Sequence, residues 1–179
     1  PGTGYEEITP EKLAKQYDRK RALIPDEFTK FIEATQAELL QRYSPEQIVK
    51  ALVDALDQKS VFEVWRQGFS MGDDHVAPVI WRPRDDVDPS LRKRYEDNRL
   101  MVSQEVKYDH LPGADKNRLD LVLFLNGVPL VTVELKNEFT GQGVNNAIEQ
   151  YQCDRSPDAP IFSFPHRAIV HFAVSRQLA

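Results

Sequence analysis

Apolar positions along this chain keep two different periods. Up to about residue 70 the spacing is helical. Thr9-Pro10-Glu11 and Ser44-Pro45-Glu46-Gln47 each set a hydroxyl cap ahead of a proline at the first helical position, and the second adds the Gln of a capping box. Between them Phe28, Phe31, Ile32, Leu39 and Leu40 recur at helical intervals, which predicts one helix from Asp26 to about Arg42. Ile48, Leu52, Val53 and Leu56 repeat the pattern in the next helix. A shorter helix over Val61–Gln67 should stop at Gly68. Val79-Ile80-Trp81 reads as a strand, Pro83 and Pro89 bracket an acidic connection, and Asp88-Pro89 opens a short helix reaching about Asn98.

From Leu100 the period falls to two, starting with a strand over 101–108. A polar loop then leads to two adjoining apolar runs, 119–125 and 130–136, joined through Asn126-Gly127. A helix from about 144 to 154 and a buried strand over 168–174 complete the pattern, the strand placed to return parallel through that crossover helix. The expected architecture is α/β with a mixed sheet. A helical region, 1–70, packs on a core formed by 71–179 in what reads as one structural domain.

The two adjoining runs carry ionisable groups where core strands should have none: Asp120 on the first, Glu134 and Lys136 on the second. An unpaired buried carboxylate costs several kcal/mol, so this pattern points to a site. Two carboxylates can share a divalent metal, and the ammonium can offset the remaining charge. Side chains alternate between faces, and a two-residue Asn-Gly turn in unbroken register would put Glu134 on the wrong side of the sheet from Asp120. A three-residue turn with Gly127 left-handed, or a bulge, corrects this. The expectation is that Phe124 then pairs with Val128, making Asp120 and Glu134 diagonal neighbours on one face.

An Asp, a hairpin and then Glu-x-Lys resembles the PD-(D/E)xK nuclease superfamily. The fuller run from Asn117-Arg118-Leu119-Asp120 to Asn126-Gly127-Val128-Pro129 narrows the likeness, together with Glu134-Leu135-Lys136-Asn137, Asn146-Ala147-Ile148-Glu149-Gln150-Tyr151 and Val170-His171-Phe172-Ala173-Val174. It resembles the N-terminal endonuclease domain of type I restriction enzyme R subunits. The likeness reaches upstream to Asn98-Arg99-Leu100 and Gln104-Glu105-Val106, is strong over the C-terminal half and looser over the N-terminal helices.

That resemblance implies a restriction-endonuclease-like core and Mg²⁺-dependent hydrolysis of DNA phosphodiesters, with Mn²⁺ as a substitute ion. Asp120, Glu134 and the Leu135 carbonyl would hold the metal, and Lys136 would lie beside the attacking water. Many such nucleases carry a Gln-x-x-x-Tyr element on the next helix. Here Tyr151 matches, Ala147 stands at the Gln position, and Gln150 lies aside. Gln104 and Glu63 are further candidates, the first as a DNA-facing polar group and the second as an additional acid. The implied partners are double-stranded DNA and the methyltransferase and specificity subunits of a restriction complex. ATP would be bound only by motor domains further along a longer polypeptide, since no glycine-rich lysine loop occurs here.

Composition limits these readings. A net charge of -5 argues against a tight, stand-alone, non-specific DNA binder, whereas a subunit fed DNA by partners needs no cationic excess. The single Cys153 cannot form an internal disulfide, and no apolar run is long enough to span a bilayer, so a cytoplasmic setting is expected. His75, His110, His166 and His171 lack zinc-motif spacing, and His171 reads as a satisfied core histidine. Arg92-Lys93-Arg94 and Arg99 interleave with Glu96 and Asp97 as a solvated helix face would.

Alternatives stay open. Glu134 and Lys136 could be ordinary cross-strand partners, and Asp120 could pair with Arg118 or Lys116. The fold could serve as a non-catalytic docking module. It could also belong to another PD-(D/E)xK nuclease, such as a repair or methyl-directed enzyme.

Overall fold

The computed structural model describes residues 4–84, 88–111, 116–136, 144–156 and 158–175, with side chains at 144, 146, 147, 150, 154 and 175 left aside. Strand β1 (Tyr5–Glu7) leads to helices α1 (Pro10–Gln16), α2 (Pro25–Thr35), α3 (Pro45–Gln58) and α4 (Val61–Gln67). The hairpin β2 (Phe69–Met71) and β3 (Asp74–Val76) and helix α5 (Pro89–Glu96) follow. The main sheet then forms from β4 (Leu100–Lys107), β5 (Arg118–Leu125) and β6 (Val128–Lys136), with α6 (Val144–Glu149) crossing to β7 (Val170–Ser175).

Its strand order is β1-β4-β5-β6-β7. β1 runs parallel to β4, β5 is antiparallel to both neighbours, and β7 runs parallel to β6 as the crossover predicted. The fold is therefore α/β with a mixed sheet. One apolar cluster gathers α2, α3, α4 and the small hairpin, and includes Val128 at the tip of β6. A second gathers α1, Ile24, Met101, Val122, Phe124, Ile161 and Ala168, with Tyr151 and Phe162 packed against it.

Local capping follows the sequence closely. Thr9, Ser44 and Ser60 each cap a helix through a side-chain oxygen, and Ser44 with Gln47 forms the full capping box. The long helix expected over 26–42 is instead broken. It stops at Thr35, and a 3-10 turn over Ala37–Gln41 carries Leu39. Gln36, at φ -148°, causes the break: its buried amide donates to the Ala77 carbonyl and accepts from the Ala77 N–H, both at 2.8 Å. A long-range pair of hydrogen bonds outweighs continued helical period here.

Val79-Ile80-Trp81 forms no strand. The Asn98 side chain takes both backbone groups of Ile80, at 3.1 and 2.7 Å, so the segment needs no ladder partner. β1 and the β2–β3 hairpin were not anticipated. The expected buried final strand is an edge strand with Val170, Phe172 and Val174 exposed; only Ala168, just before it, is fully buried.

The β5–β6 hairpin determines everything that follows. Asn126 (φ 49°) and Gly127 (φ 81°) make a two-residue turn between paired Leu125 and Val128. The tip is docked on all sides. Asn126 accepts from the Arg99 N–H at 2.7 Å and donates to the Pro78 carbonyl at 2.9 Å, while the Ile24 N–H donates to the Gly127 carbonyl at 2.9 Å. Phe124 faces Pro129, the register then shifts, and Leu123 faces Val131. Leu130 is thus the extra residue of a bulge.

Candidate functional site

That bulge brings the two acids together. Beyond it Val122 pairs with Thr132 and Leu121 with Val133, so one further step sets Asp120 opposite Glu134 on the face shared by Val122 and Thr132. The expected correction of register is present, but a two-residue turn and a later bulge supply it. Phe124 pairs with Pro129 rather than Val128.

Glu134 is almost fully buried. Burial raises its carboxyl above the ordinary carboxylate value; Arg155 opposes the rise, the charge of Asp120 adds to it, and Lys136 opposes it more weakly. All three predicted charges therefore act on one point. The Asp120 carboxylate accepts the Leu135 N–H at 2.6 Å, which ties it to the backbone between Glu134 and Lys136. Asp120 does not take Arg118, which pairs with Glu105 at 2.9 Å.

Arg155 was missed at the sequence level. It follows a π turn over Gln150–Asp154, and its guanidinium forms an ion pair with Glu134 through one Nη. The other Nη donates to the Tyr108 hydroxyl at 3.4 Å, and the group lies 5.4 Å from the centre of the Tyr108 ring. Its interval of four residues from Tyr151 was the available signal, and it lies in the bend that follows the π turn.

Thr132, two residues before Glu134 on the same face, is the second residue missed. Its Oγ1 lies 2.9 Å from the Tyr151 hydroxyl and 2.7 Å from His171 Nδ1. Burial pushes the Tyr151 phenol up to about 12, and the Thr132 hydrogen bond opposes this. Partial desolvation beside Tyr151 and Phe162 lowers the His171 imidazole from its ordinary value. His171 is satisfied, as expected, but it stands on an exposed edge rather than in the core. Its ring centre is 5.3 Å from that of Tyr151 and 5.4 Å from that of Phe162, so the acids adjoin an aromatic wall.

Other expected residues stand apart. Gln104 is exposed and donates to Glu7 at 3.3 Å, on the β1 side of the sheet. Glu63 sits in the first turn of α4, whose buried side chains belong to the helical cluster. The side chain of Gln150 lies outside the described residues, as do Asn137 and the glycine-rich stretch 140–143. Arg99 is engaged by buried Glu27 at 2.5 Å, and Arg92 bonds Glu96 along α5 at 3.1 Å.

Among the described residues no group of three or more His, Cys, Asp or Glu could hold a metal ion. Two carboxylates beside a backbone segment form an oxygen-only, incomplete set. Such a set suits Mg²⁺, which keeps several waters and is commonly held by one or two carboxylates plus substrate phosphate; it does not suit an all-protein Ca²⁺ or Zn²⁺ cage.

The family model for the Type I restriction enzyme R protein N terminus matches residues 2–175. No curated protein and no solved structure matches the chain. Among the described residues no helix is long and apolar enough to cross a membrane.

Proposed function

Because the chain belongs to the family of type I restriction enzyme R protein N termini, we propose that it is the Mg²⁺-dependent DNA endonuclease domain of a restriction complex. Asp120 and Glu134 bind the cation with the Leu135 carbonyl, and Lys136 is the catalytic ammonium. The observation that carries this reading is the bulge at Leu130, which aligns Asp120 with Glu134 on one face and leaves Lys136 within electrostatic reach.

Mg²⁺ would supply Lewis-acid polarisation of a phosphate oxygen. The rest falls to the protein. Lys136 orients the attacking water and stabilises the negative charge that grows on the phosphoryl oxygens. Tyr151, fixed by Thr132, holds the crossover segment against the acid-bearing strand. Double-stranded DNA is the substrate, delivered with the methyltransferase and specificity subunits, and ATP is consumed by motor domains elsewhere in the R subunit.

Calorimetric titration with Mn²⁺ tests the metal assignment. Binding should be measurable in the wild-type domain and lost in Asp120→Ala. Equal heats from the two proteins would overturn it.

One observation favours a second reading, a docking module without catalysis. Both carboxylates already have protein partners, Glu134 in Arg155 and Asp120 in the Leu135 N–H. That reading predicts no Asp120-dependent Mn²⁺ binding at all.

A further inference from the structure

Arg155 holds its charge where a cation at Glu134 would stand. Its side chain is 11% exposed and that of Glu134 is 3% exposed, so neither ion can turn to bulk water without moving. The guanidinium is also under-used. It has five donor hydrogens in a planar fork, yet it meets the carboxylate through a single Nη, and its buried Nε has no hydrogen-bond partner. A donor left unsatisfied at this depth costs free energy, which a second state that used it would recover.

Resting on the nuclease reading above, we propose that Arg155 is a further phosphate-contacting residue of this site. It holds Glu134 while the protein is alone, and it passes to a non-bridging oxygen of the DNA phosphodiester when a divalent cation takes the carboxylate. A divalent ion and a guanidinium on one carboxylate repel each other at close range, so each weakens the other's hold on Glu134. Once displaced, the guanidinium remains in a desolvated place and requires an anion. A phosphodiester offers two non-bridging oxygens matched to the fork, Nε included.

The consequence is coupling. Metal entry frees Arg155 for phosphate, and phosphate capture of Arg155 frees Glu134 for metal, so each ligand strengthens the other to the same extent. The aromatic ring of Tyr108 supports the guanidinium in its resting place, and its hydroxyl accepts the second Nη. A static structural pair would show no such linkage.

Mn²⁺ titrations at one fixed pH compare wild type, Arg155→Gln, Arg155→Lys and Asp120→Ala, each with and without a short DNA duplex. Without DNA, Arg155→Gln should bind Mn²⁺ about tenfold more tightly than wild type. Arg155→Lys, which keeps the charge, should not. With the duplex present, wild-type Mn²⁺ affinity should rise by a larger factor than that of Arg155→Gln, in which only the contact between phosphate and metal remains.

Asp120-dependent binding that Arg155→Gln leaves unchanged overturns the inference alone. So does wild-type affinity indifferent to DNA, an arm that needs no variant to fold. Absence of any Asp120-dependent binding overturns the nuclease reading and this inference together.

Discussion

Gly127→Ala probes the docking of the hairpin tip from which the acid pair takes its register. Gly127 stands at φ +81°, and a Cβ there would lie 2.4 Å from the Ile24 carbonyl oxygen and 3.3 Å from the Phe28 nitrogen. Holding alanine in the left-handed region costs roughly 1–2 kcal/mol. The clash is with backbone, so the tip must retreat and stretch the Ile24 N–H to Gly127 carbonyl bond, worth about 1 kcal/mol. Lifting Val128 partly out of its cluster forfeits up to ~1 kcal/mol more. A total of about 3 kcal/mol follows, or roughly 6–12 °C in melting temperature for a chain of this size. Gly72→Ala is the control, because its φ is +57° but the nearest atom is the Tyr43 hydroxyl at 3.1 Å, the end of a side chain that can yield. It should cost only about 1 kcal/mol. Urea unfolding followed by circular dichroism measures both. If Gly127→Ala costs no more than Gly72→Ala, within about 0.5 kcal/mol, the close approach at Ile24 does not anchor the hairpin.

Two further outcomes bear on the site. Burial raises the Glu134 carboxyl, so in the window between its unfolded value near ~4.3 and the raised folded value the native state holds the extra proton, and stability falls as pH rises. Glu134→Gln removes that titration but leaves the buried Arg155 guanidinium without its carboxylate, so thermal melts should show it below wild type at neutral pH, and a variant melting at or above wild type there would contradict this. Lys136→Ala should lower DNA cleavage by the assembled restriction enzyme ~10²-fold or more with little change in melting, because the residue is only partly buried at a strand end, and undiminished cleavage would remove Lys136 from the catalytic role.

Sequence reading succeeded where local chemistry settles the outcome. Thr9 and Ser44 start helices because a side-chain oxygen can satisfy an otherwise unpaired N–H within three residues. It failed where a distant partner decides. Gln36 stops a helix by reaching Ala77, and Asn98 replaces a strand neighbour for Ile80. Neither event leaves a periodic trace. The site divides in the same way: Asp120, Glu134 and Lys136 stand out as charges in apolar runs, whereas Arg155 is one arginine in a polar stretch, marked only by its interval from Tyr151.

The bulge shows two sequence rules holding at once at the cost of a third. Asn-Gly dictates a two-residue turn, and the turn formed has both residues at positive φ. The metal site proposed above requires Asp120 and Glu134 on one face, which that turn in regular register forbids. The extra residue therefore had to sit beyond the tip and before the acids. Pro129 marks where: it lacks an N–H, cannot complete a regular ladder, and belongs beside a bulge or on an edge. Strand β7 pairs with β6 only from Val131 onward, so Pro129 lies before that pairing begins, and the bulge falls at Leu130, next to the proline. The bulge beside Pro129 thus reconciles the two-residue turn with the register that the proposed pairing of Asp120 and Glu134 needs.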